Sequence, residues 1–330
     1  MMNQKQHIAI LPFLLLALFS CSNGIDKKID FGREVKLIAD RVPIHEIFGG
    51  DFITLKDSFL IVASSVSDTT LFVYSLPDLR FLNVEGMKGG GPEEMQLFPM
   101  FCESPGSEYL YVWGYTPAEI RKFSIQPDGR FVLRDRYTLD DYETRNNIQI
   151  INDSILIYYL IEDLTIKKEE LKKDISLGEI VYPKEDHRES YYYSNRGLIA
   201  TNSSKLVYAY LFKREIDIYD IATFKRTIVV GDGVRHPAPD LSMAPQDVPS
   251  YYRNIYAGET YFYILCKENG LRGVGDWCLY VFDYDGNSII RYLFDIPPFL
   301  FVVDEKRGYL YGYNGSYEDI FLRYKLPASN

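Results

Sequence analysis

Arg235 and His236 stand side by side in "GDGVRHPAPDLSMAPQDVPS" (Gly231–Ser250), with Asp232, Asp240 and Asp247 in the same stretch. An imidazole among carboxylates can serve as a general base or a metal ligand. In a loop this polar, however, such a histidine is ordinarily just solvated. A second stretch, "GMKGGGPEEM" (Gly86–Met95), has the glycine content of a phosphate cradle. A phosphate loop needs G-x-x-x-x-G-K-[ST], with backbone amides opening a helix. Here Lys88 precedes the glycines, no Ser or Thr follows, and Glu93 and Glu94 would repel a phosphate. The chain has no G-x-S-x-G, no C-x-x-C and no histidine cluster, so no metal or cofactor is expected. The pair Asp140-Asp141 reads as surface charge.

A set of aromatics beside the irregular stretches is more suggestive: Tyr115, Tyr251, Tyr252, Trp277 and Tyr313. Flat rings with a polar tip suit sugar or protein surfaces. Together with Lys88, Glu93, Glu94, Arg235, His236 and Arg272 they form the candidate binding set. In a chain with 28 Tyr and 20 Phe, packing competes for every one of these rings.

The elements that must position these residues are strands. Short β-forming runs alternate with Asp/Gly/Pro turns, and one pattern recurs: an apolar residue, two positions, an aromatic, one position, an apolar residue. It reads "LFVYSL" (Leu71, Tyr74, Leu76), "IRKFSI" (Ile120, Phe123, Ile125), "IDIYDI" (Ile216, Tyr219, Ile221), "LYVFDY" (Leu279, Phe282, Tyr284) and "FLRYKL" (Phe321, Tyr324, Leu326). The central aromatics lie 49, 96, 63 and 42 residues apart. The longest interval is near twice the first, so a degenerate copy is expected in "ILIYYLIEDLTIKKEEL" (Ile155–Leu171). Six units of this length predict a six-bladed β-propeller of four-stranded blades, the motif strand being third in each. "KKEELKKD" (Lys167–Asp174) has helical charge spacing. Within the repeat it reads as a solvated outer strand or hairpin extension of blade three. Only four residues follow Leu326, so the sixth blade lacks its outermost strand. "REVKLIAD" (Arg33–Asp40) is expected to dock there and close the ring, covering an open edge.

In up-and-down blades, the links between blades share a face with the loops joining second and third strands. That face would collect "GMKGGGPEEM", Gly231–Ser250 and "KENGLRGVGDW" (Lys267–Trp277). Cys266 and Cys278 flank the last of these and could form a cross-strand disulfide or remain buried thiols. Cys102 would be a buried thiol.

The N-terminus carries its own signal. Lys5, the apolar run Ile8–Phe19 and then Leu18-Phe19-Ser20-Cys21 read as a signal peptide over 1–20. Cleavage would leave Cys21 as a lipidated first residue, 21–32 as a linker and 33–330 as the propeller. Twelve apolar residues are too few to span a bilayer. The formal net charge of −10 argues against nucleic acid.

The lipobox, the aromatic repeats, "KGGGPEEM" and the ending "FVVDEKRGYLYGYNGSYEDIFLRYKL" together resemble the TolB-like six-bladed propeller lipoproteins of Bacteroides-type bacteria. Members often carry a Gly-x-Gly-Pro-Gly-Glu-like link, matched here by Gly89, Gly91, Pro92 and Glu94, with Glu93 where the family often has glycine. The resemblance implies the fold and an envelope location, and little about activity. The expectation is a monomeric module, lipid-anchored to the outer membrane, on the periplasmic side in preference to the cell surface. It would bind a protein or glycan through its loop-rich face. The alternative is a polysaccharide lyase or hydrolase acting at the central channel through Arg235 and His236.

Overall fold

The computed structural model describes residues 25–327, apart from 48, 67, 90, 92–93, 96–98, 116–117, 140–144, 161, 174, 182–194, 235–249, 269–276 and 318. Its elements are strands, gathered into six sheets. Blade one comprises Phe52–Lys56, Phe59–Ala63, Thr69–Ser75 and Arg80–Met87. Blade two comprises Met100–Cys102, Leu110–Tyr115, Ala118–Ile125 and Phe131–Thr138. Blade three comprises Arg145–Ile151, Ile155–Leu160, Ile166–Glu170 and Ile175–Ile180. Blade four comprises Gly197–Thr201, Lys205–Tyr210, Glu215–Asp220 and Lys225–Gly231. Blade five comprises Tyr252–Ala257, Tyr261–Lys267, Trp277–Asp283 and Ser288–Phe294. Blade six comprises Leu300–Asp304, Tyr309–Tyr313, Ile320–Lys325 and Asp40–Pro43. The first strands touch in that order and the last touches the first, so the ring is closed.

The burial of each strand follows from its place in the blade. Second and third strands are covered on both faces by neighbouring blades, so they read as unbroken apolar runs; Phe59–Ala63 and Trp277–Asp283 are buried nearly throughout. Outer strands show one face to solvent, and Phe131–Thr138 alternates accordingly. The recurring aromatic stitches blades together. Tyr74 of blade one meets Phe321 of blade six edge-to-face at 5.1 Å, while within blade five Phe282 stacks on its cross-strand partner Phe262 at 5.1 Å.

In blades one to five the third strand shifts register against the fourth just before the motif's central position, at Val73/Tyr74, Lys122/Phe123, Lys168/Glu169, Ile218/Tyr219 and Val281/Phe282. Blade three therefore carries the motif as Ile166, Glu169, Leu171, with a carboxylate in the aromatic slot. This corrects the reading of "KKEELKKD" as an outer, solvated segment: its first half belongs to the third strand. Lys168 and Glu169 are buried there, with partners suited to burial. Tyr158 donates to Glu169 at 2.7 Å, and Lys168 Nζ donates to the Ile221 carbonyl of blade four at 2.7 Å.

An N-terminal strand closes the ring, but it lies just beyond the one expected. Asp40–Pro43 pairs antiparallel with Ile320–Lys325, and Arg323 grips Asp40. Glu34–Leu37 instead runs parallel to Ser288–Phe294 as a fifth strand of blade five, and Lys27–Lys28 does the same on blade four. The physical reason is Leu37, buried against Tyr292 and Ile296, which anchors this run to blade five. Within the segment expected as the linker, Asp26 and Lys27–Lys28 lie along the outer strand of blade four. Phe31 packs on Tyr280 and Phe282, with ring centroids at 4.6 and 5.3 Å.

Candidate functional site

Six first strands surround a central channel with a cavity of about 860 Å³, a size within the range of small-molecule sites. Each first strand begins at the loop-rich face and ends in the turn leading to the second strand. The channel therefore has two chemically different ends. Phe52, Asn147, Arg253, Asn254 and Phe299 line it toward the loop-rich face; Lys56, Glu103, Asn202 and Glu305 line it toward the turns.

Most polar groups at the turn end are already engaged. Glu305 accepts the amides of Thr260 and Tyr261 and the hydroxyl of Tyr263. Asp304 holds Arg307 at 2.7 Å, and Thr201 donates to Gln149 at 3.1 Å. Glu103 differs. Its backbone ties blade two to blade three by accepting from Ile150 and donating to Ile148. Its carboxyl sits deep among protein atoms while still bordering the channel. Burial pushes it up to about 7, against the opposing pull of Lys56 and a hydrogen bond from Thr54. Burial likewise lowers Lys56, whose ammonium donates to the Ser104 hydroxyl at 3.1 Å and to its carbonyl at 3.3 Å.

The loop-rich face keeps only part of the expected set. Lys88 is exposed, its backbone amide bonded to the Asp68 carbonyl at 2.7 Å. Glu94 turns inward, accepting the Gly91 amide at 2.7 Å. Tyr252 and Tyr313 are buried in the packing between blades and leave the candidate surface, because second-strand residues and the fifth blade's entry are covered on both sides. Trp277 remains half-buried, its ring 5.1 Å from that of Phe299, and Tyr251 is half-buried. Cys21, Glu93, Arg235, His236 and Arg272 lie outside the described residues, as does the side chain of Tyr115. Cys266 and Cys278 face each other across adjacent strands as unbonded thiols with their sulfurs 3.4 Å apart, and Cys102 is a buried free thiol. Among the described residues no group of three or more His, Cys, Asp or Glu could hold a metal ion. No helix among them is long and apolar enough to cross a membrane.

Sequence reasoning missed Arg253 and Phe299. Arg253 adjoins the noted Tyr251-Tyr252 pair, but nothing in its neighbours announces that it borders the channel. Phe299 follows Pro297-Pro298, which reads only as a break before a strand.

The profile of the TolB-like 6-blade propeller-like family matches residues 52–306. A presumed exported protein from Bacteroides fragilis NCTC 9343 superposes with a TM-score of 0.59 at 12% identity, over 90% of this chain and 99% of that one. The RRP9 WD40 repeats superpose at 0.53 and 8% identity, over 88% and 97% of the two chains. U3-55K does so at 0.53 and 9%, over 87% and 98%. At such identities the likeness establishes the fold alone. No curated protein matches this sequence.

Proposed function

Because the chain belongs to the TolB-like six-bladed propeller family, we propose that it is an exported binding module that takes a glycan at the loop-face mouth of its central channel. The observation that carries this reading is the channel itself: about 860 Å³, open among six first strands, with Arg253, Asn254 and Phe299 at its mouth. Recognition of a sugar calls for amide and charged groups set beside an exposed ring face, and this mouth supplies both. Export is supported by the signal-like N-terminus and by the exported character presumed for the Bacteroides fragilis neighbour. Cys21 would carry the lipid that holds the module at the outer membrane, on its periplasmic side.

A glycan array probed with the full chain tests the binding reading, run beside cross-linking pull-downs from envelope extracts. Retention of neither a glycan nor an envelope protein would sink it. The anchor is tested separately: Cys21→Ser should release the protein from the membrane fraction, and continued membrane retention would rule out lipidation at Cys21.

One observation favours a second reading, hydrolysis or elimination on a polysaccharide. Glu103, held near 7 beside Lys56, has the poise of a general acid or base. Glu305, which also lines the channel, is taken up by three donors and so does not serve as the second free carboxyl group of a glycoside hydrolase. Release of reducing ends from acidic and neutral polysaccharides, abolished in Glu103→Gln, would establish this alternative over simple binding.

A further inference from the structure

Arg253 occupies an irregular place in an otherwise regular strand. Tyr252 pairs with Cys266 and Asn254 with Leu265, so Arg253 is the extra residue of a β-bulge. A bulge re-aims a side chain and interrupts the ladder, and such features cluster beside sites. Here it follows the wholly buried Tyr252 and puts a guanidinium on the wall of the channel. Arginines elsewhere in these blades hold carboxylates: Arg307 with Asp304, Arg291 with Glu268 and Glu34, Arg226 with Asp217. Arg253 has no ion pair or side-chain hydrogen bond among the described residues. Burial lowers its guanidinium and no carboxylate opposes that effect. Arg253 is nonetheless exposed, so its guanidinium, with no carboxylate of its own chain, is free to meet something brought in by a ligand.

Its surroundings narrow what that something is. Asn254 beside it donates to the Phe299 carbonyl at 3.1 Å, tying blade five to blade six at this mouth. The Phe299 ring is 41% exposed on the cavity wall and is backed by Trp277. Lys267 Nζ lies 5.8 Å from the Trp277 ring centre, so a second cation stands behind the same platform. Across the channel, the first strand of blade three is also irregular between Asn146 and Gln149. Asn147 there takes a φ of +49° and lines the cavity. Asparagine takes this conformation readily, and here it turns an exposed side chain onto the channel wall.

Resting on the binding role proposed above, we infer that the channel mouth selects acidic saccharides, with Arg253 pairing the ligand's carboxylate while Phe299 stacks against its ring face. Guanidinium matches carboxylate geometry in a two-bond fork, and sugar rings present an apolar face to aromatics. Asn147, exposed on the facing wall, is placed to read a hydroxyl group.

The test is titration calorimetry of the full chain with disaccharides carrying a carboxylate (digalacturonate), a sulfate or no charge. Digalacturonate is expected to bind. Arg253→Gln should weaken it about ten- to a hundredfold, and Arg253→Lys should keep part of the affinity. Thermal melts of both variants confirm folding. Preference for the sulfated sugar with the same Arg253 dependence would overturn the carboxylate assignment. Equal binding of neutral and acidic sugars, or an unchanged Arg253→Gln, overturns the inference and leaves a glycan-binding module. Failure of all three sugars alongside capture of an envelope protein overturns it too, and leaves a protein-binding module. Failure of both kinds of partner removes the underlying reading as well.

Discussion

The Glu94 carboxylate folds back onto the Gly91 amide and accepts its hydrogen at 2.7 Å, while the Glu94 amide donates to the Gly91 carbonyl at 3.0 Å. The glycine-rich link is thus an anion cradle whose anion is its own glutamate. A Cβ at Gly89 would overlap that carboxylate, and one at Gly91 would come within 2.9 Å of it. Replacing Glu94 with Ala should cost about 1–2 kcal/mol, since a charge-assisted bond to a half-buried amide is lost. Glu94→Gln, which keeps an acceptor, should cost less than half as much. Urea midpoints compare the two, and equal costs would argue against the internal cradle.

Gly86 opens the same link with a φ of +74°, and a Cβ there would stand 2.7 Å from the Thr70 hydroxyl that bonds its carbonyl. Gly86→Ala combines the left-handed penalty with this overlap, for a loss of roughly 2–3 kcal/mol. A melting temperature within error of the parent would refute this geometry.

Glu103 makes stability depend on pH. Its folded carboxyl sits at about 7, above the ordinary 4.5, so the folded state keeps a proton that the unfolded chain releases. The resulting stabilisation is fully present below about 4.5 and is lost as pH rises through about 7. The groups facing it are Thr54, Lys56 and Tyr256. Allowing for solvent reaching it from the channel, the loss is on the order of 1–2 kcal/mol. Glu103→Gln should flatten this part of the profile of denaturant midpoint against pH. An unchanged slope would assign it to other groups.

Glu169 accepts the buried Tyr158 hydroxyl, so Glu169→Ala strands a donor and should cost about 2–3 kcal/mol. Adding Tyr158→Phe should recover a good part of that loss. A double variant no better than the single would show that the bond contributes little.

Cys266 and Cys278 face each other with 3.4 Å between sulfurs, and burial pushes the Cys266 thiol up. Such thiols should resist alkylation in the native chain at neutral pH. In protein recovered from an oxidising compartment, the pair is expected to be closed, so that alkylation in denaturant labels Cys102 alone. Labelling of all three cysteines would show that no bridge forms.

The sequence displays five of the six third strands because their aromatics answer one physical demand, filling the gap between blades. The sixth hides because Glu169 meets that demand by hydrogen bonding to a tyrosine, which no hydrophobic pattern registers. The closing strand was displaced by a few residues for a similar reason: "EVKL" has strand alternation, whereas "DRVP" ends in proline and pairs only because blade six has a vacant edge. The channel mouth was least legible. A bulge erases the period-two signal, so a sequence placing Arg253 after two tyrosines cannot reveal which way its side chain leaves the strand.

Asp40 and Arg323 stand 283 residues apart in the chain and meet in space. The last blade therefore cannot be finished until Ile320–Lys325 has been made, and a product lacking that strand keeps a raw edge. Contacts this distant are slow to form, because their entropy is spent before any neighbour rewards it. The ring is thus held open until both ends of the chain are available, and its first and last strands set together.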